Sequence, residues 1–129
     1  MIATQQGKNS KTINLSNYTQ ELETDTFKNC NLLETIILPG SITTIPDYAF
    51  YGCTKLTTIV IPNSVTSISK YVFDDDLDFC STTIYCEATE KPSDWNDNWS
   101  SNDKIYWYSE TSKSGYWHYD SNNQIEIWE

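Results

Sequence analysis

The side chains with most chemical potential are four cysteines, one histidine, an acidic run and a crowd of aromatic rings. Cys30, Cys53, Cys80 and Cys86 contain no C-x-x-C spacing. With a single histidine they cannot compose a zinc site at these separations. Cys30 and Cys53 fall in one repeat column, where small apolar residues are expected in a buried ladder. In-register parallel Cβ vectors also suit a disulfide torsion poorly, so free thiols are the expectation. The run Asp74-Asp75-Asp76-Leu77-Asp78 invites a calcium reading. It lacks the alternating oxygen ligands, central glycine and distal glutamate of an EF-hand loop, and reads as a solvated corner. His118, between Trp117 and Tyr119, has no identifiable nucleophile or orienting acid. A general base needs both, and a pocket. The chain therefore offers no catalytic, metal or cofactor residues.

The aromatics leave two readings open. Tyr106, Trp107, Tyr108, Tyr116, Trp117, Tyr119 and Trp128 crowd into residues 106–128. Cross-strand aromatic pairs stabilise sheets, so these rings can close the end of a fold. Alternatively Tyr106, Tyr108, Tyr116, Trp117 and Tyr119 form a stacking platform for sugar rings, making the chain a carbohydrate-binding module; a third reading of the chain is a structural spacer within a larger surface protein.

The elements that position these residues follow from an internal repeat. Phe27, Phe50 and Phe73 recur every 23 residues. The same offset pairs Cys30 with Cys53, Leu33 with Leu56, Ile36 with Ile59, Leu38 with Ile61, Pro39 with Pro62, Ile42 with Val65 and Ile45 with Ile68. Self-similarity at this length marks a solenoid, in which each turn buries its apolar edge against its neighbours. Leu33–Leu38 and Leu56–Ile61 alternate as strands, ended by Pro39 and Pro62 because proline cannot donate to a ladder. Successive strands should stack in parallel about 4.8 Å apart. Residues 11–26 form a polar, degenerate first turn. In the third turn Phe79, Thr82 and Ile84 are expected to continue the inward positions at the same offset.

The pattern Leu-x-x-Ile-x-Leu/Ile-Pro, followed by an aliphatic, Ile, Ala/Val-Phe and Cys, resembles the BspA-type (Treponema-type) leucine-rich repeat. The resemblance is strong over residues 27–73 and reaches about two thirds of the chain with the flanking partial repeats. It implies a bacterial cell-surface or secreted protein that binds other proteins, including host extracellular-matrix proteins, in adhesion. It implies no catalytic residues. A cytoplasmic location also remains open.

The expected fold is mainly β: a short leucine-rich repeat solenoid of about four turns with a parallel strand ladder, closed by a C-terminal antiparallel aromatic β-meander. Residues 1–10 read as a flexible lead-in, 11–86 as the solenoid and 87–129 as a capping region. Three meander strands are expected at 105–110, 116–120 and 125–128, with Thr111–Gly115 and Ser121–Asn123 as turns. Trp95 and Trp99 fit one face of a short helical turn, or two indoles folded over the solenoid end.

The candidate protein-binding surface is the outward face of the ladder. Its expected columns are Asn14, Ile37, Val60 and Thr83; Thr12, Thr35, Thr58 and Ser81; and Glu34 and Thr57 continuing alongside Lys11. Ile37 and Val60 make a small apolar patch in a field of threonines. The same residues are also what ordinary strand propensity would select.

Composition bounds the partners. The 129 residues carry a net charge of −10, which repels nucleic-acid phosphates and anionic membrane. No apolar run reaches the roughly 18 residues of a membrane span. The opening MIATQQGKNS shows no basic start followed by an apolar stretch, and the chain reads as part of a longer secreted protein. The thin N-terminal turn makes weak end-to-end self-association a further expectation.

Overall fold

A computed structural model describes residues 2–3, 11–73, 82–100 and 104–129. Eleven strands are assigned: β1 (Ile2–Ala3), β2 (Thr12–Asn14), β3 (Glu21–Leu22), β4 (Thr35–Ile37), β5 (Thr44–Ile45), β6 (Thr58–Ile61), β7 (Ser67–Ile68), β8 (Thr83–Cys86), β9 (Ile105–Trp107), β10 (Trp117–Tyr119) and β11 (Ile125–Ile127). No helix is formed among the described residues.

The main ladder is a five-stranded parallel sheet in the order β2-β4-β6-β8-β9. Period-2 alternation sends one set of side chains inward. Ile36, Ile59 and Ile84 form one buried inner column, and Leu38, Ile61 and Cys86 the next. Across the core a second ladder pairs β5 with β7, through Thr44 with Ser67 and Ile45 with Ile68. The wall continues where Ile68 bridges to Trp95. Threonine hydroxyls tie successive turns together: Thr43 donates to the Gln20 carbonyl and Thr66 to the Thr43 carbonyl, at 3.3 and 3.2 Å.

Phenylalanine fills the third side. The Phe27, Phe50 and Phe73 rings stack at 5.6 and 5.4 Å, each pair within 7° of parallel. The corner that delivers each ring needs left-handed backbone at two places per turn. Asp25, Tyr48 and Tyr71, again 23 apart, have φ of 64°, 59° and 55°, and Asn29 and Gly52 have 61° and 75°. A Cβ at Gly52 would also meet the Asn29 carboxamide, the end of an exposed side chain that can turn aside, so the left-handed φ sets most of the cost. Gly52→Ala is therefore expected to cost about 1–2 kcal/mol, the usual penalty for an L side chain in this region. Urea unfolding should show a lower midpoint at unchanged slope; an unchanged midpoint would mean that the corner relaxes freely.

Three expectations are corrected. First, 105–107 is not a meander strand. It pairs in parallel with β8, through Ile84 with Ile105, Tyr85 with Tyr106 and Cys86 with Trp107, and so adds a fifth rung. The antiparallel element is the two-stranded hairpin β10–β11. Short strands of Tyr, Trp and Ile carry no mark of parallel or antiparallel pairing in their composition; the one signal is the Ile-Tyr pair repeated 21 residues apart, at Ile84-Tyr85 and Ile105-Tyr106. Second, the third turn is two residues longer than the repeat. Thr58 pairs with Thr83, Ile59 with Ile84, Val60 with Tyr85 and Ile61 with Cys86. Thr83 therefore sits in the Thr58 column, and Tyr85 takes the place beside Val60. Third, Ile2–Ala3, expected in a flexible lead-in, pairs in parallel with Glu21–Leu22.

Neither form expected for Trp95 and Trp99 describes the structure: their segment is a further turn of the solenoid, with the Asn96 N–H donating to the Ile68 carbonyl and the Val72 N–H to the Trp99 carbonyl, and the indoles lie inside it. Both are buried. They pack 5.2 Å apart, and Trp99 meets Phe73 edge-on at 6.1 Å.

Candidate protein-binding groove

The outward column of the ladder runs Asn14, Ile37, Val60, Tyr85, Tyr106. Asn14 and Ile37 are exposed, Val60 is half-buried, and the Tyr85 and Tyr106 rings stack at 5.5 Å. Thr12, Glu34, Thr35, Thr57 and Thr58 flank this column and are all exposed, and Thr83 is half-buried. Ser81 lies outside the described residues, as do Phe79, Cys80 and the Asp74–Asp78 run.

The hairpin is laid over this same face. Asp120 makes its turn: the carboxylate accepts from the Asn122 and Gln124 backbone N–H groups at 2.8 and 2.9 Å, an Asx arrangement that tolerates left-handed Asn123 behind it. Alternation then turns Trp117 and Tyr119 toward the ladder and His118 away. Trp117 is fully buried. Its Nε1 donates to the Cys86 carbonyl at 2.7 Å, and its ring lies edge-on to Tyr85, Tyr108 and Tyr119 at 5.6, 5.3 and 4.7 Å. Trp128 Nε1 adds a second tie, donating to the Ser109 carbonyl at 2.8 Å.

Beyond this anchor the hairpin overhangs the earlier rungs. A groove of about 420 Å³ opens between them, with Ile37, Val60, Thr35 and Thr58 on the floor and Tyr119 and Ile125 on the wall. Ile37 is 51% exposed, Ile125 39% and Tyr119 36%. Apolar surface thus faces solvent on both sides of one cleft. Glu87 lines the groove as well, accepting from the Asn63 backbone N–H at 2.9 Å and from the Tyr119 hydroxyl at 2.6 Å. Burial, and then this bond to a carboxylate, hold the Tyr119 phenol above its ordinary pKa, so it stays a donor. Tyr85 is pushed the same way by burial, with Tyr106 adding to it.

The two surfaces singled out in the sequence thus meet in one place. Ile37 and Val60 supply the floor and Tyr119 the wall. Tyr106, Tyr108 and Tyr116 are half-buried, and Lys113 Nζ sits 4.1 Å over the Tyr116 ring. Trp117 has no face open to a sugar. Sequence reasoning missed Tyr85, Glu87 and Ile125. Tyr85 and Tyr106 were recoverable from their 21-residue separation, which also relates Ile84 to Ile105. Glu87 and Ile125 carried no signal, because only the folded-back hairpin brings them to the ladder.

The remaining reactive groups are accounted for by packing. Cys30 and Cys53 are buried, with Cys53 Sγ donating to the Phe27 carbonyl at 3.0 Å. Cys86 is a free, buried thiol whose pKa burial pushes up, the opposite of what a nucleophile needs. His118 stacks on Trp128 at 3.6 Å and lies 3.1 Å from a Glu126 carboxylate oxygen. Among the described residues no three His, Cys, Asp or Glu side chains are grouped to hold a metal ion, and no helix is long and apolar enough to cross a membrane.

Residues 5–98 match the family model of the BspA type leucine rich repeat region, in six copies. The chain belongs to this family. BspA-type repeats are generally protein-interaction and adhesion repeats and occur in surface and secreted proteins, and leucine-rich repeat solenoids are typically non-enzymatic. The match extends past the strong core at 27–73 on both sides. No curated protein and no solved structure gives a significant match.

Proposed function

We propose that this BspA-type repeat chain is a non-enzymatic adhesion module, acting at a bacterial cell surface or in secreted form within a longer protein. The outward strand face receives a partner protein, with host extracellular-matrix proteins the class to be tested first. One observation carries this reading: Ile37 and Val60 lie side by side in an open groove, facing a second apolar wall, where a solvated strand face would carry polar residues. Exposed apolar surface rimmed by polar side chains is the usual mark of an interaction site, and here threonines supply the rim. Strand propensity alone accounts for β-branched residues at 37 and 60. It does not account for the hairpin wall that faces them.

The test is binding of the purified chain to an array of extracellular-matrix proteins, repeated with the double variant Ile37→Glu, Val60→Glu. Central, desolvated contacts of an interface commonly cost 2 kcal/mol or more when lost. The double variant should therefore weaken a hit by about 30-fold or more; adjacent glutamates on neighbouring strands also repel, so the urea midpoint is measured alongside to show that the variant remains folded under the binding conditions. A matrix-protein hit that survives the double variant would overturn the strand-face reading. So would binding confined to a glycan array with quenching of tryptophan fluorescence.

A further inference from the structure

The groove is apolar on two sides and carries one formal charge. Among the residues lining it, Glu87 alone is a carboxylate and none is a lysine or arginine. Its placement is fixed from both ends: Oε1 accepts from the Asn63 N–H and Oε2 from the Tyr119 hydroxyl. An ionised carboxylate has about four acceptor sites, so two donors leave it able to take a further cation. Among the described residues it has no ion-pair partner; the ion pairs formed are Lys91 with Asp97 and His118 with Glu126. Lys113 borders the recess on the other side of Glu87, but its ammonium sits over the Tyr116 ring. A half-buried, pre-positioned and unneutralised carboxylate therefore stands at the edge of an apolar cleft, on a chain of net charge −10.

We propose that the groove takes a protein segment in which an aliphatic side chain adjoins a lysine or arginine. The aliphatic group fills the space between the Ile37–Val60 floor and the Tyr119–Ile125 wall, and the cation pairs with Glu87. This rests on the strand-face reading above and adds to it the chemistry of the partner. Acidic segments are rejected because a second carboxylate would meet Glu87 across the cleft, and juxtaposed like charges are costly.

The experiment is a titration of the isotope-labelled chain with three capped heptapeptides, carrying Leu-Lys, Leu-Glu or Ser-Lys at the centre of a Gly/Ser sequence, followed by amide NMR signals. The Leu-Lys peptide should shift the amides of Ile37, Val60, Glu87 and Tyr119. The other two should bind at least about fivefold more weakly, the factor expected when a partly screened ion pair or one small apolar contact is lost. Glu87→Gln keeps the shape and an acceptor oxygen, and should bring the Leu-Lys and Leu-Glu affinities together. It should also remove the weakening by salt that the wild-type chain shows. Equal binding of Leu-Lys and Leu-Glu to the wild-type chain would overturn the proposal, as would Leu-Lys binding indifferent to Glu87→Gln, or no shifts at these four amides up to about 5 mM peptide. Any of these leaves the strand-face reading standing, because that reading is judged separately by the matrix-protein array and the Ile37/Val60 double variant.

Discussion

Trp117→Ala is expected to lower stability by about 3–5 kcal/mol, the range for truncating a fully buried large aromatic. The indole is the point at which the hairpin is fastened to the ladder. It is fully buried and touches three other rings, and its N–H is the donor to the Cys86 carbonyl. Loss of that donor also leaves a buried acceptor without it, which places the cost toward the upper end of that range. Against a total stability of about 5–15 kcal/mol, Tm should fall by roughly 10–25 °C at this chain length, read by near-ultraviolet circular dichroism. Trp117→Phe keeps most of the ring packing and loses the N–H, so it should cost about 1–3 kcal/mol. A loss below about 1 kcal/mol in the alanine variant would show that the hairpin is held elsewhere. The consequence for binding is direct, since the hairpin that Trp117 anchors is one wall of the groove.

The repeat explains which parts of this arrangement were legible in advance. Where the 23-residue period holds, from Phe27 to Phe73, the sequence named the strands, their inward residues, the Phe column and the outward Ile37 and Val60. Every repeat position is stated two or three times there, and agreement between copies cancels local ambiguity. After Phe73 the period changes to 25 residues and then to 21, as Ile59, Ile84 and Ile105 show. A reading tied to 23 misassigned Thr83 and left Tyr85 off the face. The hairpin was legible as a hairpin from Asp120 to Asn123, whose types favour a tight turn. Its docking was not legible, because Trp117, Tyr119 and Ile125 meet the ladder at separations that occur once. Glu87 shows the limit most plainly: its role comes from Asn63 and Tyr119, 24 and 32 residues away on opposite sides in sequence, and no periodicity relates the three.

Phe50→Ala should be the most damaging change within the repeat itself. Phe50 is the middle ring of the stack and is buried, and the main chain beside it is bonded to both neighbouring turns: Phe27 N–H donates to the Ala49 carbonyl and Phe50 N–H to the Val72 carbonyl. Truncation removes the ring's burial, about 3–5 kcal/mol, and both aromatic pairs, each about 0.5–1.5 kcal/mol beyond area alone. Phe27 stacks on a single ring, so Phe27→Ala should cost about 1 kcal/mol less than Phe50→Ala under the same urea titration. The comparison separates two sources of stability that burial cannot distinguish, since both rings are removed from solvent. If the two variants lose equal stability, the stack contributes only as buried surface. If Phe50→Ala loses more, ring contact couples one turn to the next. Because each turn of a solenoid touches only its neighbours, the variant should then also expose the Ile36 and Ile84 amides to hydrogen exchange together, on either side of the broken rung.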